Sequence, residues 1–163
     1  MQSELNASTV TFKGVLDEKS SIVSIRESVE KALANSADGS VRLDFGNVRR
    51  ANSIGILAWA KFVDSSTFKF IYVNAPKWLV EQFNLCGLLK IDSKVESFQA
   101  PFYCGEDDKH EVVTLVVGRD VPLQEDYSSF EIVCTGTDGS RLEADFEPAE
   151  YFCFLSRTIQ TAK

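Results

Sequence analysis

The stretch VRLDFGNVRRANSIGILAWAKF, Val41 to Phe62, constrains this chain more than any other. Val41, Leu43 and Phe45 alternate with Arg42 and Asp44, the period-2 pattern of a strand with one face on a core. Gly46-Asn47 reads as a turn that stops the strand. Arg49-Arg50-Ala51-Asn52-Ser53 reads as a polar loop into the apolar run Ile54 to Val63. In that run Ile56, Trp59, Ala60 and Val63 fall on one helical stripe, so a strand, a short loop and a helix are expected in succession. Asn52 or Ser53 stands where a side-chain oxygen accepts from the unpaired N–H groups of the helix start.

A helix start carries roughly half a positive charge and stabilises a phosphate or carboxylate placed there. Two roles are therefore open to Ser53: a helix cap, or a hydroxyl positioned for phosphate chemistry.

The rest of the first 98 residues extends the same alternation. Thr9 to Leu16 reads as a strand, with a short one before it in Leu5 to Ser8. Ile22, Ile25, Val29, Ala32 and Leu33 step at three and four residues, which predicts an amphipathic helix from Ser21 to the breaker cluster at 35–39. Phe68 to Val73 is apolar on both parities except Lys69, as in a strand covered on both faces. Ala75-Pro76 opens a helix whose buried side is traced by Trp78, Leu79, Gln82, Phe83 and Cys86, with Gly87 ending it and Leu88 to Ile91 as an edge strand. The order β-β-α-β-α-β-α-β predicts an α/β fold, a mostly parallel sheet with helices packed on it.

Charge divides the chain. Residues 1–98 carry 11 acidic and 12 basic side chains, whereas residues 99–163 carry 13 and 5, which puts a domain boundary near Gln99-Ala100-Pro101. Beyond it, alternating segments at Val112–Val117, Phe130–Val133 and Arg141–Phe146 predict a small acidic all-β hairpin subdomain. The apolar knot Tyr151 to Leu155 is expected to anchor it on the first unit. The net charge of −7 argues against a general nucleic-acid binder, which needs a surplus of Lys and Arg. No apolar run reaches the ~18 to 20 residues of a membrane span, and the first residues do not read as a secretory signal. A cytoplasmic location is expected, with the four cysteines as thiols or ligands.

Three motifs in order make residues 1–98 resemble a STAS domain, the fold of bacterial anti-sigma-factor antagonists. Phe12-Lys13-Gly14-Val15-Leu16-Asp17 is similar to that family's second strand with its G-x-L-D signature. LDFGNVRRANSIGIL is similar to its strand-loop-helix, in which D-S-(S/T)-G-L sits at the helix start. APKWLVEQFNLCGLLKI resembles its last helix and exit.

The resemblance implies a phospho-switch. Its acceptor would be Ser53, phosphorylated by a partner serine kinase and anti-sigma factor of the histidine-kinase-like ATPase class, which the unphosphorylated form binds. Asn52 stands where the family has an acid and Ile54 where it has a hydroxyl, while Gly55 and Ile56 match. Partner contacts are expected from Arg49, Arg50, Asn52, Ile54 and Gly55.

In the tail, Phe102-Tyr103-Cys104 and Ile132-Val133-Cys134, each before a Gly-containing turn, resemble the knuckles of a degenerate zinc ribbon. Asp107 and Thr137 stand where the paired ligands would be. No metal or other cofactor is expected; the fallback ligand set is Cys104, Asp107, His110 and Cys134. In the metal-free form Cys104 and Cys134 would be neighbouring buried thiols, with packing by Tyr103, Phe130, Phe146 and Tyr151.

No catalytic set assembles around the single histidine, and no P-loop, dinucleotide fingerprint or H-E-x-x-H occurs, so no enzyme is expected. The leading reading is a signalling module that works by binding proteins. The alternatives are an unphosphorylated scaffolding subunit that binds through its acidic tail, and a STAS-like sensor of a small ligand.

Overall fold

The computed structural model describes residues 1–86, 88–90 and 92–160. The chain is mixed α/β. Strands β1 (Gln2–Asn6), β2 (Thr9–Leu16), β3 (Ser40–Ala51), β4 (Lys69–Val73) and β5 (Lys94–Val95) form one sheet in that order. β1 is antiparallel to β2; every later pair in this sheet is parallel. Helices α1 (Ile22–Ala34), α2 (Ser53–Ser65) and α3 (Lys77–Cys86) fill the connections. A second, antiparallel sheet runs β7-β6-β9-β8, from β6 (Ser97–Cys104), β7 (Lys109–Val116), β8 (Val133–Thr135) and β9 (Arg141–Ala144). Helices α4 (Pro148–Tyr151) and α5 (Cys153–Gln160) follow.

One aromatic seam explains the layering. Phe12, Phe45 and Tyr72 point from β2, β3 and β4 to the same side, where Phe45 meets Trp59 of α2 at 5.1 Å and Tyr72 meets Phe83 of α3 at 4.9 Å between ring centroids. The helix stripe Ile25, Val29, Ala32 is buried as its spacing predicts, capped by Ser21, whose side chain accepts from Ser24 N–H. The opposite side of the sheet bears Arg42, Asp44, Lys69, Ile71, Val73 and Lys94, none of them fully buried. β4 is therefore covered on one face, not two. Its second apolar parity is half-buried beneath an ion pair in which Arg42 of β3 reaches Glu96 (Nη2–Oε1 2.7 Å), just beyond β5.

Several sequence expectations shift. β1 lies earlier than Leu5 to Ser8, because Ala7-Ser8 is the hairpin turn, with Ala7 at φ 51°. β3 does not stop at Gly46-Asn47. It continues to Ala51 by absorbing two extra residues against β2: Thr11 and Lys13 face Asp44 and Asn47, and Gly14 and Val15 face Val48 and Arg50. Gly14, at φ +100°, supplies the backbone turn on the partner strand. In α3, Leu79 and Phe83 are buried as expected and Trp78 and Gln82 are half-buried, but Val80 is buried as well and Cys86 is exposed. Leu88 to Lys90 form no strand; the sheet edge is Lys94–Val95 instead. Gly87 and Ile91 lie outside the described residues.

The tail is not all-β, because its apolar knot folds as α4 and α5, with Pro148 in the first turn. The expected boundary at 99–101 falls inside β6. Pro101 is tolerated there because its carbonyl accepts from Asp145 N–H (3.1 Å), so its missing N–H faces the side where the β9 ladder has ended. The knot does anchor the tail: Phe154 packs on Phe83 (5.8 Å) and Phe98 (5.3 Å). Asn84 of α3 clamps it, accepting from Phe154 N–H (2.8 Å) and donating to Tyr151 O (3.1 Å). One hydrophobic cluster runs through both sheets. No helix among the described residues is long and apolar enough to cross a membrane.

Candidate functional site

The start of α2 is set by contacts from three directions. Asn52 is the N-cap: its Oδ1 accepts from Gly55 N–H (2.9 Å), and its own N–H donates to Leu16 O (3.0 Å) at the end of β2. Gly55 is buried against that strand end; a β-carbon there would stand 2.5 Å from the Leu16 carbonyl carbon and 2.7 Å from Asp17 N. Gly55 is therefore a packing residue, and its place among the expected partner contacts is corrected by its burial.

Ser53 follows the cap as the first helical residue and is exposed. The cap is Asn52, so Ser53 does not fill that role. Among the described residues its hydroxyl has no protein partner, and the N–H groups of Ser53 and Ile54 have none either. Those two amides keep the positive end of the helix dipole open to solvent. Ile54 is 60% exposed and Leu57 55%, two large apolar side chains beside the serine on the outward side of α2. Arg49 and Arg50, at the end of β3, are exposed as expected and make no side-chain bond to other described residues.

Glu18 joins the site from the loop after β2, with no motif in the sequence to mark it. Asn52 Nδ2 donates to Glu18 Oε2 at 2.7 Å, and this bond holds the carboxyl below its ordinary pKa. A carboxylate thus stands next to position 52, delivered by the loop after β2. We expect Asn52→Ala to lower stability by about 1 kcal/mol through loss of the cap. NMR titration should show the Glu18 pKa moving up toward its usual value in that variant. The sign follows from the lowered pKa: the Glu18 contribution is present above the unfolded value and fades as pH falls through the folded one.

The tail residues do not assemble a comparable centre. Cys104 is buried at the end of β6, whereas Cys134 on β8 is half-buried, its thiol pushed up by burial and by nearby Asp120. Continuing the β6–β9 register places Leu142 between them, so the two thiols are separated by a strand instead of adjoining. His110 is exposed on β7 opposite Tyr103, with Nδ1 3.3 Å from Asp145, and Asp107 lies exposed in the β6–β7 turn. Among the described residues no group of three or more His, Cys, Asp or Glu is placed to hold a metal ion. Phe130, Phe146 and Tyr151 pack in the tail as expected, around Phe152, while Tyr103 turns outward toward Asp108.

No protein-family model matches the chain, and comparison with curated proteins and with solved structures finds no match.

Proposed function

We propose that this chain is a non-enzymatic, STAS-like interaction module of the anti-sigma-factor-antagonist kind. It docks on a protein partner through the start of α2 and is switched by phosphorylation of Ser53. The partner is a serine kinase of the histidine-kinase-like ATPase class. The observation that carries this reading is the Ser53 hydroxyl itself, exposed and unpartnered directly after a cap that Asn52 already provides. The element order β-β-α-β-α-β-α-β supports the same reading, with Phe12 to Leu16 on β2, Ser53 at the start of α2 and Lys77 to Cys86 on α3.

The switch is electrostatic. Phosphate on Ser53 adds ~1.5 to 2 negative charges. The domain tolerates them because the open amides of the first turn and the helix dipole face the added oxygens. Glu18 opposes them and limits that gain. A partner closed over Ile54 and Leu57 would have to bury the dianion beside apolar surface, and that desolvation cost releases it. Arg49 and Arg50 supply cations for an acidic rim on the partner.

Protein isolated from its native cells should carry an adduct of about 80 Da that Ser53→Ala abolishes. In affinity capture, wild type and Ser53→Ala should retain the same kinase while Ser53→Asp loses it, with thermal stability of all three nearly equal. Capture unchanged by Ser53→Asp would overturn the switch.

A further inference from the structure

A cavity of about 650 Å³ lies at the end of the first sheet away from Ser53, where β3, β4 and β5 begin. Its apolar lining comes from half-buried Ile71 of β4, from Val117 after β7 and from Leu155 and Ile159 of α5, with exposed Leu123 also contributing. It opens to the surface, and its volume lies within the range of small-molecule sites. The polar lining is specific. Lys94 stands opposite Ile71, and Lys69 is two positions earlier on the same face of β4, so both ammonium groups rise from one side of the sheet. Neither lysine pairs with a carboxylate among the described residues.

Two carboxylates share the lining. Asp38 spends its Oδ1 on Ser36 Oγ, Ser40 N–H and Ser40 Oγ, a turn that holds its pKa at about 2. Asp92 is exposed beside the cavity. Between Asp92 and Lys94, Ser93 lines the cavity with a buried hydroxyl that has no hydrogen-bond partner among the described residues. A donor left in that state costs free energy that an incoming acceptor would recover.

We infer that this cavity binds a small carboxylic acid with an apolar body, its carboxylate between Lys69 and Lys94 and its body against Ile71, Val117, Leu123 and Ile159. The site is distinct from the start of α2 and does not depend on the reading of Ser53. The acid's charge pairs with the two ammonium groups, and its second oxygen can accept from Ser93.

Calorimetric titration of the full chain with decanoate, decanol and decyltrimethylammonium, each below its aggregation threshold, tests the assignment. Decanoate should bind saturably at one site and at least about tenfold more tightly than the cation. The double variant Lys69→Gln/Lys94→Gln alters only exposed positions; it should weaken decanoate about tenfold and leave decanol unchanged. Leu123→Trp, at an exposed lining position, should obstruct both acid and alcohol. Absence of saturable decanoate binding, equal affinity for all three probes, or wild-type decanoate affinity in the lysine double variant would overturn the proposal.

Discussion

Gly55→Ala should destabilise the protein by about 3 kcal/mol or more, a cost reserved for clashes that the surrounding structure cannot relieve. The added methyl group would meet backbone, not a side chain that can swing away: the Leu16 carbonyl carbon at 2.5 Å and Asp17 N at 2.7 Å. Relief requires α2 to lift from the end of β2. That movement breaks the bond from Asn52 N–H to Leu16 O and shifts Glu18 away from Asn52. Alanine is otherwise the better helix former by roughly 1 kcal/mol, so intrinsic propensity alone predicts the opposite sign. Urea unfolding separates the two: a midpoint equal to or above wild type would show that α2 does not approach β2 this closely.

Phe154→Ala should cost about 3 to 5 kcal/mol, the range for deleting a fully buried aromatic ring. Its ring sits between Phe83 of α3 and Phe98 of β6, so the cavity would open where the two sheets share their core. The shape of the transition is as informative as its midpoint. Because one hydrophobic cluster runs through both sheets, fluorescence of Trp59 and Trp78, both in the first part of the chain, should lose its folded signal at the same lowered midpoint as circular dichroism of the whole. Two separated transitions, with the tryptophan signal unshifted, would show that residues beyond β6 melt alone.

The elements with a strong internal period were legible in the sequence. Val41, Leu43 and Phe45 announce β3, and Ile25, Val29 and Ala32 announce α1, because alternation and the three-four step report burial directly. Features decided by a partner strand were not. Gly46-Asn47 has turn chemistry, yet pairing with β2 carries the chain straight on through two irregularities. β6 was hidden by its own Pro101 and by the charge shift that begins there.

At the site, Ser53 was legible as a residue of the first turn, but assigning the cap to Asn52 rests on a hydrogen bond that both candidates could have made. Gly55 reads as surface in a motif and proves to be the point of closest approach, which only the position of Leu16 reveals. Glu18 lies 34 residues from Asn52 along the chain, too far for any local pattern. The tail helices did leave a signal: Pro148 suits a first helical turn, and Leu155, Thr158 and Ile159 follow at helical steps.

Glu96 is the single residue between β5 and β6. Its N–H is given to Tyr72 O (2.8 Å), its carbonyl accepts from Val117 N–H (2.9 Å), and its carboxylate is clasped by Arg42. A junction one residue long, tied on every side, leaves no slack for a hinge. The two sheets are thereby tied together at Glu96 without an articulated joint between β5 and β6.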